Sequence, residues 1–269
     1  MEKPKGLWEI PESFQQKSLH PTSIGGTSKM LLYKNPARRL PTAEELPHTD
    51  DRPVESELQD IIVHLLKDIL YVIWSERQDW FFGIDMGLYY DPDAPAIAPD
   101  GFLSLGVERV KGENLRLSYV IWEENGVIPI LAIEVVSRTP GGEYKRKKKE
   151  YANIGIKYYV IYAPRRRRKP RFTIYRLENG QYQPVVGNPV WLPEVGLAIG
   201  TGIGTYQGTT REWLYWYDEA GSRYSAQEEV SAQERAMRLA AEQRAEQSAA
   251  QAKQWKAKLI ELGIDPDDL

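Results

Sequence analysis

Cysteine is absent from the chain. That excludes disulfides, thiolate zinc sites and a cysteine nucleophile, and it fits a reducing cytoplasm. Histidine is nearly as scarce. Only His20, His48 and His64 occur, the first two in a polar, proline-containing leader, which argues against histidine-based triads and histidine-rich metal centres. No apolar stretch reaches the roughly 20 residues a helix needs to span a bilayer. The opening "MEKPKGLWEIPESF" also lacks the apolar core of a secretory signal. The expectation is a soluble, cytoplasmic protein with no membrane partner. A surplus of one charge is missing too: the formal net charge is −3, so any nucleic-acid-binding face has to be a local feature. A length of 269 residues allows one good-sized core and an appendage.

Residues 1–52 are polar and rich in Pro, Ser and Thr without steady periodicity, which predicts an extended N-terminal arm and not a domain. The first strong element begins near Glu55. Leu58, Ile61, Ile62, Leu65, Leu66, Ile69 and Ile73 recur at three- and four-residue spacing, so an amphipathic helix should bury one face against a sheet. "WFFGIDMGLYY" reads as a strand, "DPDAPAIAPD" as a turn, and "GFLSL" as a second strand starting just after Asp100. A loop or hairpin follows, from Gly106 to about Gly126.

"ILAIEVVS" (130–137), "RTPGG", "EYKRKKKEYANIG" and "IKYYVIY" then give strand, glycine turn, helix of about eleven residues, glycine stop and strand. That order is a βαβ unit with two parallel strands. Further strands are expected at "RFTIYRLENGQYQPV", where Asn179-Gly180 makes a hairpin turn, and at "LAIGTGIGTYQG". From about Ser225 the composition turns to Ala, Gln, Glu and Arg, favourable for a long helix. Its larger apolar residues, Val230, Met237, Trp255, Leu259 and Leu262, do not hold a heptad, so a solvated or loosely docking helix is expected over a coiled coil. A homodimer through this tail stays open.

Two motif-like stretches carry less than they suggest. "GTGIGTYQG" has Gly-x-Gly spacing, but no helix pattern opens after it, and a glycine-rich strand or bend is the better reading. Ser137 has no histidine beside it and reads as a hydroxyl closing a strand end. The basic run "RRRRKPR" (165–171) would ordinarily be a solvated loop. Together with Lys145, Arg146, Lys147, Lys148, Lys149 and Lys157, however, it concentrates cations on one βαβ unit, as a phosphate-binding face would require. Lys145, Lys149, Arg165, Arg166, Arg167 and Arg168 are the residues expected to touch nucleic acid.

The residue that most needs a reason is Glu134, a carboxylate inside an apolar strand. An ionised carboxylate there costs several kcal/mol unless it is paired, neutralised or bound to a metal. Asp100, at the start of a neighbouring strand, and a nearby lysine would complete a divalent-cation site. Hard cations such as magnesium take one or two carboxylates, a backbone carbonyl and water, and a lysine beside them offsets phosphoryl charge. The competing explanation is an ion pair between Glu134 and a lysine.

Pro99-Asp100, the strand carrying Glu134 in "IEVVS", and the lysine-bearing helix ending in "KKKEYANIGIKYYVIY" resemble the Uma-type restriction endonucleases, a bacterial branch of the PD-(D/E)XK nuclease superfamily. The resemblance runs from about residue 40 to about 220, and the tail closing on "LGIDPDDL" is similar to tails common in that family. It implies an α/β, restriction-endonuclease-like mixed sheet flanked by helices, followed by a C-terminal long helix. The domains would be an arm (1–52), a nuclease-like domain (53–220) and a helical tail (225–269). It also implies a Mg2+-dependent (or Mn2+-dependent) endonuclease acting on DNA. Asp100 matches the Asp of the PD element and Glu134 the acidic residue of (D/E)XK, both as metal ligands, with the carbonyl of Val135 completing the set. Val136 stands where the superfamily places its lysine. In the Uma-type pattern the lysine lies in the following helix, four residues before a tyrosine, which gives Lys147 and Tyr151, with Lys148 and Lys149 as rivals. Glu57 matches the position of an extra acidic residue in many of these nucleases, or else is a solvent-facing first-turn glutamate. A nuclease-fold body that binds nucleic acid or a protein partner without cutting is the alternative function.

Overall fold

A computed structural model describes residues 39–46, 56–113, 115–136, 142–166 and 170–261. Residues 1–38 and 47–52 of the arm, Ser137, most of the "RTPGG" turn, Arg167, Arg168, Lys169 and the closing "LGIDPDDL" lie outside the described residues. The short described piece of the arm rests on the body: Trp122 Nε1 donates to the Pro41 carbonyl at 2.9 Å, and the Ala43 N–H donates to Glu123 Oε1 at 2.9 Å.

Helix α1 (Glu57–Ile73) buries Ile62, Val63, Leu65, Leu66, Ile69 and Leu70 along one stripe, as the three-and-four spacing requires. The stretch expected to be one long strand is β1 (Trp80–Ile84) and the short β2 (Leu88–Tyr89). Between them Asp85 adopts a left-handed φ of 43° and ends the run. The chain continues through β3 (Gly101–Leu105), β4 (Tyr119–Val120), β5 (Leu131–Val135), α2 (Lys148–Ile154), β6 (Tyr158–Tyr162), β7 (Phe172–Glu178) and β8 (Gln181–Val185). A six-stranded sheet has the order β1-β3-β5-β6-β7-β8. Within this sheet β5 and β6 run parallel, from Leu131↔Tyr158 to Val135↔Tyr162, with α2 as the crossover, and its other pairs are antiparallel; β2 and β4 form a separate, parallel pair. Asn179 and Gly180 both take positive φ in the β7–β8 hairpin, the geometry of a tight primed turn.

Alternation along β5 divides the core. Leu131, Ile133 and Val135 face α1 together with Trp80, Phe82, Val160 and Tyr162. Ala132 and Val136 face the opposite side with Phe102, Tyr151, Tyr159 and Ile161. Each of the fully buried aliphatic side chains contributes about 1.5–3 kcal/mol of hydrophobic burial. The same period of two sends Glu134 to the α2 side.

The α1-side core is closed by a second, antiparallel sheet of β9 (Val190–Leu192), β10 (Leu197–Tyr206) and β11 (Thr209–Tyr217). The glycines of "GTGIGTYQG" lie in β10, where they leave room for neighbours: a Cβ on Gly200 would collide with Asn188 and Pro189, and one on Gly204 with the Tyr215 hydroxyl. Trp216 Nε1 of β11 donates to the Leu66 carbonyl of α1 at 3.0 Å. Helix α3 (Gln227–Glu261) docks by its first turn alone. Glu228 accepts the Gln207 N–H at 2.6 Å, Glu229 accepts the Thr205 N–H at 2.9 Å and pairs with Arg223 at 3.0 Å, and Ala232 to Lys258 are exposed throughout. Among the described residues, no helix is long and apolar enough to cross a membrane.

Candidate active site

Asp100 and Glu134 are brought together by sheet register. Gly101 pairs with Ile133 in the antiparallel β3–β5 ladder, so one residue earlier on β3 lies across from one residue later on β5. The Val135 N–H donates to Asp100 Oδ2 at 2.6 Å, linking the two acidic positions through the backbone. Glu134 is 1 % exposed, and both of its oxygens are engaged: Lys147 Nζ donates to Oε2 at 2.6 Å and the Tyr151 hydroxyl to Oε1 at 2.5 Å.

Local structure explains why Lys147 occupies this place. The helix after β5 opens as a π-helical turn, Glu143–Lys147, before α2. The Lys147 N–H bonds the Gly142 carbonyl five residues back at 3.1 Å, and Gly142 supplies a φ of 113° at the entry. Such turns are rare and recur at functional sites. Lys147 and Tyr151, four apart, then lie one above the other on the face turned to β5. Lys148 points elsewhere, with its ammonium 3.6 Å from the Tyr175 ring centroid, and Lys149 is exposed.

Burial, and then the nearby Asp100 charge, push the Glu134 carboxyl up to about 8, against the pull of Lys147 and Tyr151. Burial likewise raises Asp100 despite Lys147, the Val135 N–H and Gln59. Burial works against the Lys147 ammonium, but Glu134 and Asp100 outweigh it and hold its pKa above the ordinary lysine value. Two carboxyls beside one ammonium therefore cannot both ionise at low cost in the metal-free site, and the protonated acid is favoured there.

Two residues at the site were not singled out from the sequence. Asp85 donates its N–H to the Asp100 carbonyl at 3.3 Å, and burial followed by the charges of Asp100 and Asp60 raises its carboxyl to about 6. Gln59 reaches in from α1 and donates Nε2 to the Val135 carbonyl at 3.0 Å. Glu57, the acidic residue considered for this helix, is exposed. The marks that could have pointed to Asp85 and Gln59 are modest: an Asp directly after a strand, and a polar side chain one turn into an amphipathic helix.

The donor set would suit a hard cation: the buried Glu134 and the half-buried Asp100, carboxylates whose mutual repulsion a divalent ion would relieve, plus the Val135 carbonyl. Among the described residues no group of three or more His, Asp or Glu gathers around one point, so a cation here would have to be held by two carboxylates, a carbonyl and solvent, a set magnesium accepts. Among the described residues, several of the cations of this unit are engaged in ion pairs. Arg146 pairs with Glu150, Lys157 with Glu194 and Arg171 with Glu212. Arg166 donates to the Tyr144 hydroxyl at 2.9 Å and stacks on that ring, which joins the arginine loop to the lysine helix. Lys145, Lys149 and Arg165 are exposed.

A family model described as "Uma2: Putative restriction endonuclease" matches residues 50–204, a span that contains Asp100, Glu134, Lys147 and Tyr151. No curated protein matches the chain.

Proposed function

We propose, for a chain that belongs to the Uma2 restriction-endonuclease family, Mg2+-dependent hydrolysis of DNA phosphodiester bonds, with Mn2+ as a substitute cation. In this reading residues 53–220 are the nuclease body, 1–52 an arm and 225–269 a tail, at work in the cytoplasm. The observation that carries the proposal is the placement of Glu134: fully buried in a central strand, opposite Asp100, with Lys147 on one oxygen and Tyr151 on the other. A purely apolar strand would be cheaper to fold, so the cost of the carboxylate calls for a function.

Asp100, Glu134 and the carbonyl of Val135 would hold the cation, which when bound polarises the phosphate and lowers the pKa of water. Lys147 keeps its proton, because both acids hold it there, and presents positive charge where phosphoryl charge builds up. Tyr151, its hydroxyl pKa raised well above the ordinary value by burial, stays protonated and fixes the rotamer of Glu134. Lys145, Lys149 and Arg165, with Arg166 and the neighbouring Arg167 and Arg168, would meet the DNA backbone. The engagement of both Glu134 oxygens favours a second reading, a protein that binds DNA or a partner without cutting.

Cleavage of plasmid and single-stranded DNA with and without Mg2+ separates the two. Glu134→Gln and Asp100→Asn should each abolish cation-dependent cleavage while DNA binding survives or tightens, since a negative charge facing the phosphates is removed. Full activity in Glu134→Gln would end the nuclease reading.

A further inference from the structure

Gln59 is placed to organise the cation-binding oxygens without supplying one of its own. Its amide is oriented from behind: the Ser56 hydroxyl donates to Oε1 at 3.2 Å, so the nitrogen end is turned toward β5. There Nε2 donates at 3.0 Å to the carbonyl of Val135, the residue whose own N–H holds Asp100. The Val135 N–H closes the loop on Asp100 Oδ2 at 2.6 Å. One side chain from α1 thus holds the peptide of β5 to which the Asp100 carboxylate is bound.

A carboxylate at this position would be a third acidic ligand. It could not donate to the Val135 carbonyl, and it would repel Asp100. An amide does the opposite on both counts, because it is neutral and has N–H groups to give. We propose that Gln59 is a positioning residue that fixes the Asp100 carboxylate and the Val135 carbonyl as a paired oxygen set for a single divalent cation. This inference rests on the nuclease reading of the site. Partners that orient metal ligands affect affinity strongly even though they never touch the ion, and their loss typically costs about tenfold to a hundredfold.

The test is Mn2+ binding by the full chain, read from the loss of the free Mn2+ paramagnetic resonance signal, together with the rise in Tm caused by Mg2+. Gln59→Leu fills similar space without hydrogen bonds and should weaken Mn2+ binding about tenfold or more. Asp100→Asn should remove binding, and Ser56→Ala should weaken it by a smaller factor. Gln59→Glu distinguishes positioning from simple packing. Its metal-free form should melt below the parent because two carboxylates face each other, and Mg2+ should restore more Tm than it adds to the parent. A packing role predicts a Tm loss in Gln59→Glu that Mg2+ leaves unchanged. Unaltered Mn2+ affinity in both Gln59→Leu and Ser56→Ala, with binding still lost in Asp100→Asn, would overturn the role of Gln59 and leave the nuclease reading standing. No Mn2+ binding by the parent protein would overturn both.

Discussion

Lys147 Nζ lies 2.6 Å from Glu134 Oε2. Read from the sequence, an ion pair and a cation site are competing reasons for Glu134 to exist, yet the fold contains the pair inside the arrangement that suits the cation. The pair does not balance the site, since the half-buried Asp100 adds a second carboxyl whose charge acts on Glu134. Lys147 thus pairs with Glu134 in the metal-free protein, and in the proposed nuclease it would stand beside the phosphate.

That balance sets a pH dependence. Glu134 ionises at about 8 in the fold against an ordinary 4.5, and Asp85 at about 6 against 3.8. Both values are raised by folding, so their stabilising contribution is complete below the unfolded values and is lost as pH climbs through the folded ones. Metal-free protein should therefore lose Tm between about pH 4 and about pH 8. Cation binding needs the ionised acids, so the Tm gained from millimolar Mg2+ should grow over the same window. Melting curves in chelator and in Mg2+ check both slopes, and Glu134→Gln should flatten much of the first.

The exposed cations beside the lysine helix should contribute electrostatically and independently of sequence. Replacing Lys145, Lys149 and Arg165 together with Ala should weaken DNA binding and reduce the salt slope by about 2–3, since each phosphate contact contributes roughly 0.9. Arg166→Ala should do more than its charge suggests, because its guanidinium also ties the loop to Tyr144. Binding measured across a salt series decides; an unchanged slope in the triple variant would place the DNA elsewhere.

Where periodicity was local, the sequence was readable. The stripe of α1, the strand-helix-strand unit around Glu134 and the Asn179-Gly180 hairpin follow from spacing that a short window contains. Strand β11 was missed because "REWLYWY" buries residues on both faces at its end and so does not alternate. Gln59 was hidden for another reason: its partner Val135 lies 76 residues away, and an uncharged amide in a helix carries no mark of function. The four-residue spacing to Tyr151 already pointed to Lys147 over Lys148, and both Lys147 and Tyr151 bond Glu134. The π-helical turn that precedes them is not legible from residue spacing.

The tail divides at its first turn. Deleting residues 240–269 should leave Tm unchanged, because Ala232 to Lys258 are exposed. Deleting residues 225–269 also removes Ala226, fully buried, and the Glu228 and Glu229 bonds to the β10–β11 hairpin, at a cost of about 1–3 kcal/mol. For a body of this size that is a fall in Tm of several degrees, roughly 2–4 °C per kcal/mol. Equal melting temperatures for the two truncations would mean that the docked turn contributes nothing.

Lys147 and Lys148 are adjacent in sequence and opposite in role, which makes them a sharp comparison. Lys147→Ala removes the cation that faces both acids and should lower cleavage by about 10²–10³, the scale of losing one preorganised charge at a reacting group. Its effect on cation binding should be small, because two consequences oppose each other: a repelling ammonium is gone, while Glu134 is more readily protonated without it. Lys148→Ala removes an ammonium that sits on the Tyr175 ring, away from Glu134, and should leave the Mg2+ dependence of cleavage unchanged with at most a modest loss of DNA affinity. Cleavage rates at saturating Mg2+, with Mn2+ binding measured alongside, separate the two effects. Full activity in Lys147→Ala with loss in Lys148→Ala would mean that the helix turns by one residue when DNA binds, unwinding the π-helical turn at Glu143–Lys147.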